Sequence, residues 1–402
     1  MILALKSGSS SVRAAWFAAD ADLKPIGSAV VEGVGSATAR FRVRHADGDT
    51  VRDESMDSMD YETAFDLLLT HIETWESAAP LAAVGHRVVH GGSDFDHARR
   101  VDEQLLSQLT ALTALAPVHL PSNLAGIAEA TIRWPDIPQV ACFDTAFHRT
   151  LPPTSRMIGV PRDWQRLGIR RYGFHGLSYE SVVDNLTANE GPSAAAGRII
   201  VAHLGSGASM AALHRGESVD TTMGFSTAGG LVMSTRCGDL DPGVLLYALN
   251  EGLADATNAQ ALLYEKSGLL GTSNVSGDMR ILLTSQHIPD VRDAIDLFCH
   301  SARKHLAGLT AVLGGLDRLV FTGGIGENSP DIRQRICTGL SYLGITLNAE
   351  QNERTDRTIS QPHAPVVVNV IHSNEELIIA RHTYRHAVRP PAPVAAECGN
   401  GM

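Results

Sequence analysis

"ILALKSGSSSVRAAWFA" (residues 2–18) and "IIVAHLGSGASMAALHRG" (residues 199–216) stand almost half a chain apart and share one pattern. Each is a short apolar run, a Gly/Ser turn, and apolar alternation that resumes at once, which reads as strand, turn, strand. Taken alone, either turn could merely reverse the chain. Neither is a P-loop: the chain contains no G-x-x-x-x-G-K-[ST] and no G-x-G-x-x-G, and both turns run into strands where those motifs open helices. A hairpin tip can still cradle phosphate, because glycine lets backbone N–H groups converge and serine hydroxyls add uncharged donors. Two such tips at half-length spacing point to a duplicated fold with a cleft between its halves, gripping a polyphosphate from both sides.

The rest of the chain fits that frame. At 402 residues it is long enough for two domains, each with its own core. Strands are expected at Ile2–Leu5, Val12–Ala19, Ala82–His90, Gln139–Asp144, Arg198–Leu204, Arg318–Thr322 and Pro365–Ile371. Helices are expected at Tyr61–Trp75, Asp102–Ala116, Ser122–Trp134 and Asp290–Leu313, from Pro330, and at Glu375–His386. "GGIGEN" (323–328) reads as a glycine turn between a strand and a helix, Asp241-Pro242 as an N-cap followed by a first-turn proline, and residues 389–402 as a frayed tail. Alternating strands and helices give an α/β class.

Composition sets limits. Apolar residues make up 44% and charged residues 19%, and the net charge is −11. That balance argues against nucleic-acid and membrane partners, which need a basic face, but leaves room for a local basic pocket. The five cysteines (Cys142, Cys237, Cys299, Cys337, Cys398) form no C-x-x-C pair, so neither a zinc site nor a disulfide framework is indicated. No stretch has the pattern of a secretion signal or a membrane span, and a cytoplasmic location is expected.

Two facing phosphate tips are the logic of the actin-like, hexokinase-like and Hsp70-like ATPases. Within that group the chain resembles the acetate and propionate kinases from Leu3 to about Thr383. Ten ordered blocks carry the resemblance: "GSSSV" (8–12), "VGHRVVHGG" (84–92), "FDTAFH" (143–148), "RYGFHG" (171–176), "HLGSGAS" (203–209), "DTTMGF" (220–225), "STRCGDLDPG" (234–243), "SGLLG" (267–271), "GGIGEN" (323–328) and "NEEL" (374–377). The resemblance implies a two-lobed actin-like (ribonuclease H-like) fold with duplicated lobes around a nucleotide cleft. Residues 1–146 plus 377–402 would form one lobe and residues 147–376 the other. It further implies ATP/ADP as substrate with Mg²⁺ or Mn²⁺, acetate or another short carboxylate as acceptor, and a homodimer.

Residue roles follow by the same route. Arg87, before a glycine turn, would hold carboxylate and phosphoryl oxygens through a permanently charged fork. Arg236 would touch the transferring phosphoryl as an arginine finger does. His175 and His119 would stand beside that group, though each also reads as a structural histidine. Asp144 ends a buried strand, where a carboxylate needs a metal or a cationic partner. Glu375 opens the last helix, which favours an acid through the helix dipole alone; the resemblance makes it a Mg²⁺ contact through water. Val89, Val118, Phe174 and Thr227 would wall the acyl pocket, or serve as ordinary core. Ser9, Ser11, Arg13, His203, Gly205, Ser206 and Gly207 fall on the phosphate side. Asp278, Met279, Arg280, Gly323, Gly324, Ile325, Gly326 and Asn328 fall on the adenosine side.

Several positions depart from the usual family residue. Lys6 stands at a metal-site position where asparagine is common, and is expected to contact the terminal phosphate or else to turn away into water. Ser206 also replaces asparagine, and Arg13 replaces lysine. Leu120 replaces asparagine, Leu177 and Tyr179 a threonine and a histidine, and Thr227 a proline of the acyl pocket. The charged centre is unaltered, so these changes bear on substrate range and nucleotide affinity.

Overall fold

A computed structural model of the chain describes residues 1–8, 11–76 and 79–389, with only the backbone of Trp75 and Glu76. Ser9 of the first loop and the tail from residue 390 lie outside the described residues. The quoted segments at the two ends of the pattern are antiparallel hairpins: β1 (Ile2–Ser7) with β2 (Ser11–Phe17), and β9 (Arg198–Leu204) with β10 (Ala208–His214).

Each hairpin seeds a sheet. In the first, β3 (Pro25–Glu32), β4 (Thr38–His45) and β5 (Thr50–Asp57) extend one side antiparallel. On the other side β6 (Ala83–Val88) and β8 (Gln139–Phe143) run parallel to β1, edged by the short β7 (Arg99–Arg100). The order is β5-β4-β3-β2-β1-β6-β8-β7. In the second, β11 (Glu217–Thr221) flanks the hairpin while β12 (Arg318–Thr322) and β13 (Val367–Val370) run parallel to β9, giving β11-β10-β9-β12-β13. The run β3-β2-β1-β6-β8 and the whole second sheet therefore share order and strand direction, the duplication that the paired loops imply.

Strand alternation assigns the helices to faces. Leu3, Leu5 and Val84 pack beneath helices Tyr61–Glu76 and Leu120–Arg133, through Phe65, Leu68 and Ala130. Ile2, Ala4 and Val140 on the opposite face meet Ile378, Ile379 and Ala380 of helix Glu375–Thr383, so the C-terminal helix returns to the first sheet. In the second sheet, Ile200, Ala202 and Met210 face helix Pro289–Leu313. Its buried Ala294, Ile295, Phe298, Ala302, Leu306 and Leu309 recur at three and four residues, and left-handed Gly314 caps its end. Ile199, Val201 and Leu213 face helix Gly176–Glu190.

Three details differ from the sequence expectation. "GGIGEN" is itself a helical turn (Gly323–Asn328), stacked end to end with helix Pro330–Cys337. Helix Glu375–Thr383 stops earlier than expected and continues as a wider π turn through Val388. The strands β3 to β5 have no counterpart in the sequence reading: β5 is exposed along most of its length, so burial imposes no apolar alternation there. Asp241 does cap its helix, accepting from Gly243 N at 2.7 Å. Among the described residues no helix is long and apolar enough to cross a membrane, and Cys142, Cys299 and Cys337 are buried free thiols.

Candidate active site

The two hairpin tips face one another across a cleft of about 450 Å³. Lys6, Ser11, Arg13 and Arg87 line it from the first sheet, and His203, Gly205, Ser206, Gly207, Gly323 and Gly324 from the second. His119, Phe174, His175, Thr227, Arg236 and Glu375 complete the expected residues that reach it.

Arg87 leaves the end of β6 in a fixed pose. Its Nε and Nη2 donate to Asp144 Oδ2 at 3.0 and 2.6 Å, and Nη1 donates to the Ser7 carbonyl at 3.2 Å. Asn123 braces the same corner by donating to Ser7 Oγ at 2.7 Å and accepting from Val89 N at 2.9 Å. Burial opposes the Arg87 charge, but Asp144 and Glu375 more than offset it and raise its pKa. Burial pushes the Asp144 carboxyl up against the pull of Arg87, and Glu375 adds to the rise. A guanidinium at 2.6 Å that cannot lose its own proton still holds the pair ionised. Asp144 thus stands behind Arg87 and does not line the cleft.

Arg236 is the contrasting cation. It is 8% exposed, donates to the Thr227 carbonyl at 2.8 Å, and has no carboxylate in ion-pair contact among the described residues. Burial brings it down to about 10, with Tyr264 acting the other way and Arg87 adding to the fall. It remains charged at neutral pH, a buried guanidinium on the cleft wall.

His175 occupies a left-handed backbone conformation (φ 58°) at the start of helix Gly176–Glu190, a costly geometry for a non-glycine residue that aims the ring into the cleft. Its Nδ1 lies 2.8 Å from Ser209 Oγ, which lies 2.5 Å from the buried Tyr179 hydroxyl. With the phenol donating to Ser209, the serine hydroxyl donates to Nδ1, and Nε2 carries the ring proton. Burial first, then His203, Arg87, Arg236 and Lys6, hold His175 well below its usual range, so the ring is a neutral donor. His203 stacks on it at 4.1 Å. His119 is held neutral too, at about 3, by burial and by Arg236 and Arg87.

The cationic and neutral donors meet over Gly207. A Cβ there would come within 3.0 Å of Arg236 Nη2 and 3.2 Å of His175 Nε2. The bare Cα leaves room for a small anion to receive both. Gly323 is required on the far wall: its φ is +77° and a Cβ would lie 2.8 Å from the Leu204 carbonyl oxygen.

Lys6 lines the cleft from the end of β1. Its ammonium sits 2.7 Å from Glu375 Oε2, and having no lone pair it cannot be a metal ligand. Burial raises the Glu375 carboxyl, but Lys6, His203 and Arg87 bring it down to about 2. No group of three or more His, Cys, Asp or Glu among the described residues makes a ready metal cage. Asp144 Oδ1, however, is a buried acceptor with no partner. One such oxygen, with ionised Glu375 beyond it, fits a divalent ion that arrives on nucleotide phosphates and keeps most of its water.

Other expected residues fall outside the cleft. Val89 is buried in the core and Val118 is half-buried, so neither lines it. Met279 is core as well. Asp278 caps its own helix and pairs with Arg280 at 2.6 Å. That partner first, and Glu32 of the first sheet more weakly, raise Arg280. Ile325 and Gly326 face the strand behind, and Asn328 donates to the Gly324 carbonyl at 2.9 Å.

Sequence reasoning missed Glu327, Ser373 and Glu376 on the cleft wall. Glu327 accepts from Gly323 N at 2.9 Å and contacts His372 at 2.6 Å, and its place inside "GGIGEN" was the available signal. Tyr179 stood out only as a departure from the family residue and Ser209 only as the end of a motif block, and with Asn123 they gave no sign of these contacts, because each acts through a partner remote in sequence.

Comparison with known proteins agrees with this geometry. Residues 1–381 match the profile described as the Acetokinase family. An acetate kinase of Rhodopseudomonas palustris is 44% identical over 394 residues, covering 96% of this chain and 98% of that protein. Among solved structures, a propionate kinase from Francisella tularensis superimposes with a TM-score of 0.87 at 32% identity, covering 96% of this chain and 99% of that one. Porphyromonas gingivalis acetate kinase does so with a TM-score of 0.83 at 32% identity, covering 96% and 98%. With its paired Gly/Ser hairpins, its duplicated sheets and a match over nearly its whole length, the chain belongs to the acetokinase family.

Proposed function

We propose that this chain transfers the γ-phosphoryl group of ATP reversibly to acetate, giving acetyl phosphate and ADP. The observation that carries the reading is the convergence of Arg236 Nη2 and His175 Nε2 over the bare Cα of Gly207, between two Gly/Ser hairpin tips. Acetate is ionised at neutral pH and needs no general base. Its carboxylate would lie against Arg87 and attack phosphorus in line, while Arg236 and neutral His175 receive the charge that builds on the equatorial oxygens. Asp144 acts as a positioning residue for Arg87. Phe174 and Thr227 would face the methyl group, with Val89 and Val118 behind them. A divalent cation, Mg²⁺ or Mn²⁺, held by the nucleotide and by Asp144 and Glu375, would neutralise charge on the phosphate oxygens. The direct test is purified enzyme with ATP, Mg²⁺ and a carboxylate series, with acyl phosphate trapped by hydroxylamine. Hydroxamate should form with acetate, and ATP turnover indifferent to carboxylate would overturn the reading.

Thr227 supports a broader acceptor range. Without a proline ring at that wall, propionate should be used within about two orders of magnitude of acetate in kcat/KM, since one methylene in an apolar pocket is worth about 1–3 kcal/mol. Thr227→Pro should widen the gap. A profile strict for acetate in the parent enzyme would contradict this.

The Lys6–Glu375 contact bears on metal binding. An ammonium seated on the carboxylate competes with a divalent ion for it, so Lys6→Asn should lower the Mg²⁺ concentration for half-maximal rate. The same variant should bind Mn²⁺ in the presence of ADP more tightly by electron paramagnetic resonance. Unchanged affinity in both measurements would remove the competition.

Helix Pro242–Asn250 and the residue Leu253 after it leave Leu246, Tyr247 and Leu253 more than half exposed. A second copy of the chain is the occupant in our reading, forming the homodimer; Leu246→Asp with Tyr247→Asp should halve the mass in light scattering. We place the lobe boundaries near residues 146 and 377 and the enzyme in the cytoplasm, where ATP is available.

A further inference from the structure

Behind the cleft, and sharing no lining residue with it, lies a smaller cavity of about 150 Å³. Arg149, Arg156, Arg170 and Arg171 all line it. In a chain of net charge −11, four converging guanidiniums are not the character of the surface at large. Their backbone anchors hold them in place. Arg156 donates through Nε to the Leu151 carbonyl at 2.8 Å and through Nη2 to the Arg149 carbonyl. Arg171 donates to the carbonyls of Ser155 and Thr221 at 3.0 and 2.8 Å. The Arg170 guanidinium lies 4.8 Å from the centre of the Tyr172 ring, and its Nε is buried without a partner.

Counter-charge is scarce. Among the described residues no carboxylate is in ion-pair contact with Arg149, Arg156 or Arg170. Arg171 reaches Asp220 only at 3.9 Å, and Asp96, on the wall, is engaged first by His97 at 2.5 Å and more weakly by the charge of Arg149. Burial first, and then the charge of Arg170, depress Arg156, so the two cations are near enough to repel. Like charges held together in a cavity with unused donors are stabilised by an anion that can accept several forked hydrogen bonds at once. A volume of about 150 Å³ has room for one tetrahedral oxyanion.

We propose that this cavity is a second anion site, for a single phosphate-type dianion, distinct from the phosphate loops of the cleft. Its walls are the segments that present the catalytic groups. Thr145 follows Asp144 and accepts from Gly91 N at 3.0 Å, and His148 contacts the Phe174 carbonyl at 3.0 Å. An anion bridging Arg149 to Arg156 and Arg170 joins the segment after β8 to the segment that delivers Phe174 and His175.

The test titrates the full chain with inorganic phosphate by calorimetry, at constant ionic strength, with the cleft saturated by acetate and a non-hydrolysable ATP analogue. One phosphate should bind with a Kd of about 1 mM or tighter, with sulfate acting in its place and chloride or further acetate failing to. Arg170→Gln removes one charged donor set and should weaken binding about tenfold or more, without changing the affinity for the ATP analogue. Exposed Arg149→Gln provides the same test should Arg170→Gln not fold. Glycerol phosphate is the last arm: binding equal to that of phosphate assigns the site to phosphate esters, and failure to bind assigns it to free phosphate. Absence of heat beyond the chloride control, or an isotherm unchanged in both variants, overturns the proposal.

Discussion

Arg236→Ala should lower kcat by about 10²–10⁴-fold while leaving the melting temperature close to that of the parent enzyme. The guanidinium is buried beside Arg87 with a single carbonyl partner, so its removal costs the fold little and the transition state much. Arg236→Lys should rescue poorly, because an ammonium cannot reproduce the fork. Arg87→Ala should lose a comparable factor in kcat and also destabilise the protein, by about 3–5 kcal/mol, since Asp144 at 1% exposure is left an unpaired buried charge. Arg87→Ala combined with Asp144→Asn should recover much of that stability and none of the activity. Steady-state rates and denaturant titrations on the same variants check both statements. Near-parent kcat in either alanine variant would rule out the assigned role.

Acidification should unfold the protein well above the usual carboxylate range. Burial, with neighbouring cations at four of these sites, holds His86, His90, His148 and His203 at about 4 and His119 at about 3, against 6.5 for a free imidazole. Between those values the unfolded chain binds protons that the folded chain refuses. The stabilisation is complete above pH 6.5 and is lost as pH falls toward 4, on the order of 2–3 kcal/mol per imidazole by pH 4. Five such groups together rival the entire stability of an ordinary domain. Glu375 takes no part in that window: held at about 2 when folded, it stays ionised, and its contribution is lost only as pH falls below 4.5. Guanidinium midpoints measured from pH 7.5 to 4.5 should fall steeply below pH 6.5. A midpoint constant to pH 5 would contradict the buried neutral state of these rings.

Tyr179→Phe tests the relay to His175. Without the phenol, Ser209 can turn its hydroxyl to accept from Nδ1, which moves the ring proton away from Nε2. The expected result is a drop in kcat of about tenfold with little change in either KM, and a new set of imidazole ¹⁵N shifts for His175. Unchanged shifts would remove the relay.

Much of the fold was legible because its signals are local. Strands β1, β8 and β9 are buried on both faces and carry runs of consecutive apolar residues. Helix Pro289–Leu313 carries its start, its apolar stripe and its glycine stop in sequence order. Strand β5 gave nothing, because an exposed strand is held by its ladder to β4 and places no demand on its side chains. "GGIGEN" misled for the opposite reason: three glycines oppose a helix by propensity, and packing against Leu204 and Phe321 overrides it.

The sequence by itself determined which chemistry the chain can perform. The Gly/Ser tips point to a phosphate cradle through glycine spacing, and the ten ordered blocks, through their resemblance to the acetate and propionate kinases, imply phosphoryl transfer and the arginines and histidines that serve it. Tertiary structure decided how each of those groups is charged and aimed. Lys6 meets Glu375, Tyr179 meets Ser209, and Arg170 meets Arg156 across the folded chain, and no spacing rule links such partners. Pairing, burial and proton affinity are properties of distance in space, and the order of residues fixes that distance only through the packing of both sheets.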